Sequence, residues 1–172
     1  MTTIDYTPKT ISDIVFASDI SRELIEDITT GSLPFPVAGK TGILLFGTYG
    51  TGKSALARIL PEAIERNYSD RDPFPRYEEI RRGNDGAAII KSIEQQVSTR
   101  SPFGQNHYIV LDEVDNLTRD TMPSLKAVMN AKNSVFILTT NDITKIDRGV
   151  VNRCHCIEFN AAQDYQWLPL VK

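Results

Sequence analysis

Cysteine is nearly missing from this 172-residue chain: Cys154 and Cys156 are the only two. Two residues apart on an expected strand, they point to one face and suit a disulfide with each other poorly. Free thiols in a reducing compartment are the favoured reading, and metal ligation by Cys154, His155 and Cys156 is the lesser alternative. No apolar run approaches membrane-spanning length, which argues against a membrane partner. The opening Met1-Thr2-Thr3-Ile4-Asp5 lacks the basic and apolar regions of a secretory signal. There is no repeat array and no composition typical of disorder. Basic excess is also absent: the net charge of -3 gives no bulk attraction to nucleic acid, so any such contact must come from local basic residues. What remains is one intracellular, soluble globular domain with enough chain to bury a real core.

Against that background one stretch stands out. Gly47-Thr48-Tyr49-Gly50-Thr51-Gly52-Lys53-Ser54 fits G-x-x-x-x-G-K-[ST] at every fixed position and follows the apolar run 42–46. Glycines let the main chain curl so that successive N–H groups point at an anion, and a helix start adds partial positive charge. Lys53 can reach the outer phosphates of a nucleoside triphosphate, and the Ser54 hydroxyl can meet a magnesium ion bridging them. Gly50, Thr51, Gly52, Lys53, Ser54 and Ala55 are thus the candidate nucleotide-binding residues. A helix is expected from here, with Pro61 kinking or ending it.

The second signal is Leu111-Asp112-Glu113-Val114-Asp115, where carboxylates appear as the apolar strand 108–111 ends. That is the sheet edge at which open α/β folds bind ligands. Asp112 can hold the metal beside Ser54, while Glu113 can orient and polarise a water for attack on the terminal phosphoryl group. The run 135–138 ends in Thr139-Thr140-Asn141, which offers the Asn141 amide to a phosphate or to the attacking water; the alternative is a simple turn at Asn141-Asp142. Thr144-Lys145-Ile146-Asp147 is similar to a guanine-reading signature. It stands too far from its strand, and the acidic cluster lacks the accompanying glycine turn, so ATP is the expected nucleotide.

Elsewhere, Asp19 is expected to cap a helix carrying Ile20, Leu24, Ile25 and Ile28 on its apolar side, ended by Gly31. Residues 32–41 and 70–75 read as loops, 77–81 as a strand, 85–98 and 122–130 as helices, and 154–159 as a last strand. Strands alternating with helices predict a three-layer α/β domain with a mostly parallel, five-stranded sheet.

Taken together, these residues resemble the AAA+ ATPases of the DNA-polymerase clamp-loader family, most closely its small, replication factor C type subunits. The resemblance covers nearly the whole chain: an arm over residues 1–18 and a phosphate-loop sheet core over 42–160. Tyr6-Thr7-Pro8-Lys9-Thr10-Ile11-Ser12-Asp13-Ile14-Val15 is similar to the family's Y-R-P-K-T-x-x-D-I-V arm, which implies that Tyr6 and Val15 lie against the adenine; Thr7 departs from the family arginine. Tyr49 stands where the family usually has proline and Ser54 where it usually has threonine. Asn141 falls at the position termed sensor 1. Val151-Asn152-Arg153-Cys154 is similar to the family's Ser-Arg-Cys motif, which implies that Arg153 reaches the ATP of a neighbouring subunit.

The resemblance further implies a ring or spiral of AAA+ subunits, a sliding clamp and the backbone of primer-template DNA as partners. Arg81, Arg82, Lys91 and Arg100 are the basic residues near the family's pore-facing loop, with a solvated basic face as the equal alternative. Such a protein is expected in the cytoplasm of a bacterial cell or virus-infected host, or in a eukaryotic nucleus. Family members continue into a helical lid and a collar, and with Lys172 as its last residue the chain reads as a fragment without them. Other DNA-associated AAA+ roles, a helicase loader or a Holliday-junction motor, and a nucleotide-dependent interaction module with little hydrolysis remain the alternatives.

Overall fold

The computed structural model describes residues 7–83 and 86–162. Ten main elements follow in order: α1 (Asp19–Thr30), β1 (Gly42–Phe46), α2 (Lys53–Glu65), β2 (Arg76–Glu79), α3 (Gly86–Val97), β3 (His107–Asp112), α4 (Met122–Val128), β4 (Ser134–Thr140), α5 (Arg148–Asn152) and β5 (Cys154–Glu158). The strands form one sheet in the order β2-β3-β4-β1-β5. Every strand pair is parallel.

Both faces of the sheet are covered, which explains the uninterrupted apolar runs of β1, β3 and β4. Ile43, Leu45, Tyr108, Val110, Val135 and Ile137 pack with Ile25 and Ile28 of α1 and with Leu56, Leu60 and Ile64 of α2. On the other face Leu44, Ile109, Leu111, Phe136 and Leu138 meet Ile90, Ile93 and Val97 of α3 and Leu125 of α4. Alternation along each strand therefore fixes which helix layer every strand-end side chain faces. Gly42 is required by this packing, because a Cβ there would collide with Cys154 Sγ and Met129 Cε. Cys154 and Cys156 share one face, Cys154 within the α3–α4 core and Cys156 against it.

Several expectations need correction. The α1 cap is Ser18, whose side chain accepts the Ser21 N–H at 3.4 Å, and Asp19 begins the helix. Ile20 is 78% exposed. The inward place near the sheet goes instead to Ser21, whose hydroxyl donates to the Glu158 carbonyl at 2.8 Å. Helix α2 runs through Pro61 to Glu65. The proline removes one N–H, but Leu60, Ile64 and Glu65 are fully buried, and that packing holds the last turn. Strand β2 begins one residue before the expected 77–81 stretch and ends two residues earlier. The five-residue α5, too short for a periodic signal, lies where no element was expected. Asp147 of the guanine-like signature caps it, its carboxylate accepting the Gly149 N–H at 2.7 Å.

Candidate nucleotide site

Strand β4 lies between β1 and β3 and joins them into one crevice, because the chain leaves β1 for the far edge of the sheet and only later returns to the centre. The ends of β1, β3 and β4 thus converge, and the loops after them form the floor and wall of a ligand crevice. Phe46 runs directly into the phosphate loop. Gly47 is forced by proximity, since a Cβ there would fall inside the Phe159 carbonyl. Gly52 caps α2 in the left-handed region at φ 92, a conformation that costs glycine little. The first N–H groups of α2, including that of Ala55, are unpaired within the helix and face the loop end.

Lys53 opens α2 and turns back under the loop, 7% exposed. Its ammonium donates to the carbonyls of Gly47 at 3.0 Å and Thr48 at 2.5 Å and to the Thr51 hydroxyl at 3.3 Å. Burial lowers its pKa, while the carboxylates of Asp112, Asp115 and Glu113 oppose that shift. A phosphate tail would replace those neutral carbonyls with full negative charge.

Across the crevice, the Ser54 hydroxyl donates to both oxygens of Asp112, at 3.0 and 2.9 Å. A hydroxyl and a carboxylate held this closely are the hard oxygen donors that magnesium takes, with water and phosphate oxygens completing an octahedron. The donor set fits that ion. Glu113 follows in the left-handed region at φ 59, ψ 48, an unusual place for a residue with a side chain. Asn116 Nδ2 donates to Glu113 Oε2 at 3.4 Å and to the Ile80 carbonyl at 2.8 Å. The Thr139 hydroxyl donates to Asp112 Oδ1 and accepts the Glu113 N–H at 3.0 Å. The Thr140 hydroxyl donates to Asp115 at 2.9 Å.

A cavity of about 230 Å3 is lined by Tyr49, Gly50, Thr51, Gly52, Lys53, Ser54, Asp112, Glu113, Thr139 and Asn141. The structure thus brings together the expected loop, metal-side and strand-end residues. Two larger cavities of about 690 Å3 lie outside this crevice, one among residues 115–122 and 142–147, the other among residues 97–105 and 131–133. Neither includes the phosphate loop.

Among the described residues, Val15 and Arg153 are not in the lining of that cavity. Tyr6 lies outside the described residues. Val15 is half-buried between the short turn at Ile11–Asp13 and α1. The arm approaches the loop through a residue that the sequence reading passed over: Phe16 packs edge-on against Phe159, ring centroids 5.5 Å apart. Phe159 in turn lies beside Gly52. An aromatic two positions before a helix cap was the available signal. Arg153 is at the other end of the sheet. Its carbonyl accepts the Gly42 N–H at 2.9 Å, and its guanidinium donates to Asn130 Oδ1 at 3.0 Å and the Gly149 carbonyl at 2.9 Å. Arg100 is separated from Arg81 and Arg82 by the whole of α3, about 18 Å at 1.5 Å per residue, so the four basic residues do not form one cluster.

A parallel sheet in the order 2-3-4-1-5, with a phosphate loop after β1 and an acidic pair at the end of β3, defines a phosphate-loop nucleotide-binding core of the AAA type. The family described as "ATPase family associated with various cellular activities (AAA)" matches residues 43–161. The chain belongs to that family. Among relatives, it is 25% identical over 160 residues to replication factor C small subunit 1 of Pyrobaculum islandicum, covering 90% of this chain and 45% of the relative. It is 30% identical over 158 residues to the replication factor C small subunit of Methanosphaera stadtmanae, covering 90% and 46%. The chain therefore spans about half the length of these curated relatives. Among solved structures, a DNA polymerase III gamma subunit-related protein of Thermotoga maritima matches with a TM-score of 0.62 at 16% identity, over 86% of this chain and 48% of that one. PCH-2 of C. elegans matches with a TM-score of 0.63 at 15% identity, over 99% and 50%. Both likenesses concern the fold.

Proposed function

We propose that the chain is the ATP-binding and ATP-hydrolysing core of a clamp-loader subunit, working in a ring or spiral of AAA subunits that places a sliding clamp on primer-template DNA. The observation that carries the reading is the pairing of Ser54 with Asp112 beneath the phosphate loop, with Glu113 and Asn141 lining the same cavity. Resemblance to the replication factor C small subunits supports the loader role over other AAA tasks.

In this reading the loop N–H groups and Lys53 grip the phosphates of ATP, with the arm on the adenine side. Ser54 and Asp112 would hold Mg2+, which when bound would supply positive charge to the phosphate oxygens. Glu113 orients a water and accepts its proton as the oxygen attacks the γ-phosphorus; the bond to the β-phosphate oxygen breaks, leaving ADP and phosphate. Asn141 hydrogen-bonds the γ-phosphate or that water. Arg153 supplies a planar, permanently charged fork of donors to the ATP of the adjacent subunit.

The decisive experiment reconstitutes the subunit with its companions, clamp and primed DNA, and measures clamp loading with ATP and with a non-hydrolysable analogue. Hydrolysis-dependent release of the clamp on DNA is expected. ATP turnover unaffected by clamp and DNA would remove the loader role while leaving the nucleotide site standing.

A further inference from the structure

Thr139 is 2% exposed and sits one residue before the end of β4. Its side chain points to the α2 side of the sheet, as those of Val135 and Ile137 do and as those of Val110 and Asp112 do on β3. A hydroxyl has one proton to give and lone pairs to receive. Here the proton goes to Asp112 Oδ1, and a lone pair receives the Glu113 N–H at 3.0 Å. One buried atom therefore binds the side chain of the metal-side carboxylate and the main chain of the residue that follows it.

Both bonds bear on the geometry of the site. Asp112 has two oxygens, both within reach of the Ser54 hydroxyl, and a second donor fixed on Oδ1 stops the carboxylate rotating about its axis and holds it against Ser54. Glu113 occupies the left-handed region at φ 59, which a residue with a Cβ adopts only where its surroundings hold it. The same turn redirects the main chain at the end of β3, and with it the direction in which the Glu113 side chain leaves the sheet. The Glu113 N–H, no longer part of the β-ladder, finds its partner in Thr139.

We infer that Thr139 is a positioning residue for ATP hydrolysis, locking Asp112 and Glu113 into their separate tasks through one hydroxyl. The inference rests on the functional reading above. It assigns the metal geometry to a side chain whose hydroxyl is already committed to Asp112 and the Glu113 N–H.

Thr139→Val keeps the shape and removes the hydroxyl; Thr139→Ser keeps the hydroxyl and removes the methyl. Binding of a fluorescent ATP analogue to the full chain is titrated with Mg2+ alongside a melting curve for each variant. Thr139→Val is expected to bind the analogue without Mg2+ as the parent protein does, and to need about tenfold more Mg2+ for the same tightening, the effect of losing one charge-assisted bond. Thr139→Ser is expected to titrate within about twofold of the parent, since it keeps that bond. In the assembled ring Thr139→Val should lower kcat with KM for ATP little changed at saturating Mg2+.

A folded Thr139→Val with parental Mg2+ dependence overturns the inference, as does a Thr139→Ser as impaired as the valine variant, which would make the role one of methyl packing. If Thr139→Val loses its cooperative melt, amide hydrogen exchange at Glu113 decides: protection in the parent and in Thr139→Ser supports the inference, and fast exchange in the parent overturns it. A parent protein that binds no analogue at any Mg2+ concentration removes the functional reading and this inference with it. That result is distinct from a normal parent with an indifferent valine variant.

Discussion

The carbonyl of Arg153 accepts the Gly42 N–H at 2.9 Å, so this arginine stands at the start of β1 while the phosphate loop leaves from its end. Gly42 pairs with Cys154 and Phe46 with Glu158, which separates the two ends by about 13 Å of strand. Arg153 therefore stands away from the crevice of its own chain, and the role given to it under the proposed function is at a neighbour's.

Arg153→Ala should therefore leave nucleotide binding by the isolated chain unchanged. In a ring mixed from variant and parent subunits, turnover should fall about a thousandfold at the site beside each variant copy, as when an arginine finger is lost. Single-turnover hydrolysis in rings of controlled composition measures this. A defect confined to the variant's own site would contradict the placement.

Lys53 and Glu113 should separate binding from chemistry. Lys53→Ala removes the ammonium held beneath the loop and should abolish detectable ATP binding, measured by calorimetry. Glu113→Gln keeps the shape of the side chain but cannot accept a proton, so binding should persist while ring turnover falls about a hundredfold or more.

Glu65 offers a test of stability away from the site. Fully buried at the far end of α2, its carboxylate accepts bonds from the Tyr108 hydroxyl at 2.7 Å, the Ser69 hydroxyl at 2.8 Å, Asn106 at 3.4 Å and the Gln105 N–H. Glu65→Ala strands several donors and should cost about 3 kcal/mol in urea unfolding. ATP affinity of the folded fraction should be unchanged, because α2 separates Glu65 from the loop by about 18 Å at 1.5 Å per residue.

His155 sets a pH dependence. Burial lowers its pKa from 6.5, with a smaller push in the same direction from Lys40, and its ring meets Phe35 edge-on at 5.6 Å. The unfolded chain binds the proton more readily, so the stability contribution is complete above pH 6.5 and is lost as the pH falls below that value toward the lower folded pKa. Melting temperature should decline over that acid range in the parent, and the decline should be shallower in His155→Gln.

Much of this molecule is legible from local pattern. Continuous apolar runs announce strands covered on both faces, and the loop from Gly47 to Ser54 can be recognised because an anion cradle demands glycine, lysine and a hydroxyl at fixed spacing. Asp112, Glu113 and Asn141 follow from their positions at the ends of such runs. Other features leave no local trace. Ile20 matches the helical period of its neighbours yet faces outward, because burial depends on where α1 rests on the sheet. Pro61 signals a break that the buried Leu60, Ile64 and Glu65 override. Thr139 and Phe16 have ordinary identities, and their importance comes from partners 27 and 143 residues away.

The order of residues was enough to specify the chemistry on offer, a phosphate cradle, a metal-side carboxylate and a candidate base, because each needs particular atoms at short range along the chain. Strand order had to come from the fold, since it depends on which apolar faces pack together across the whole domain. Placing β4 between β1 and β3 brings Ser54, Asp112 and Thr139 into contact, and the parallel pairing of β1 with β5 sends Arg153 to the opposite end of the sheet.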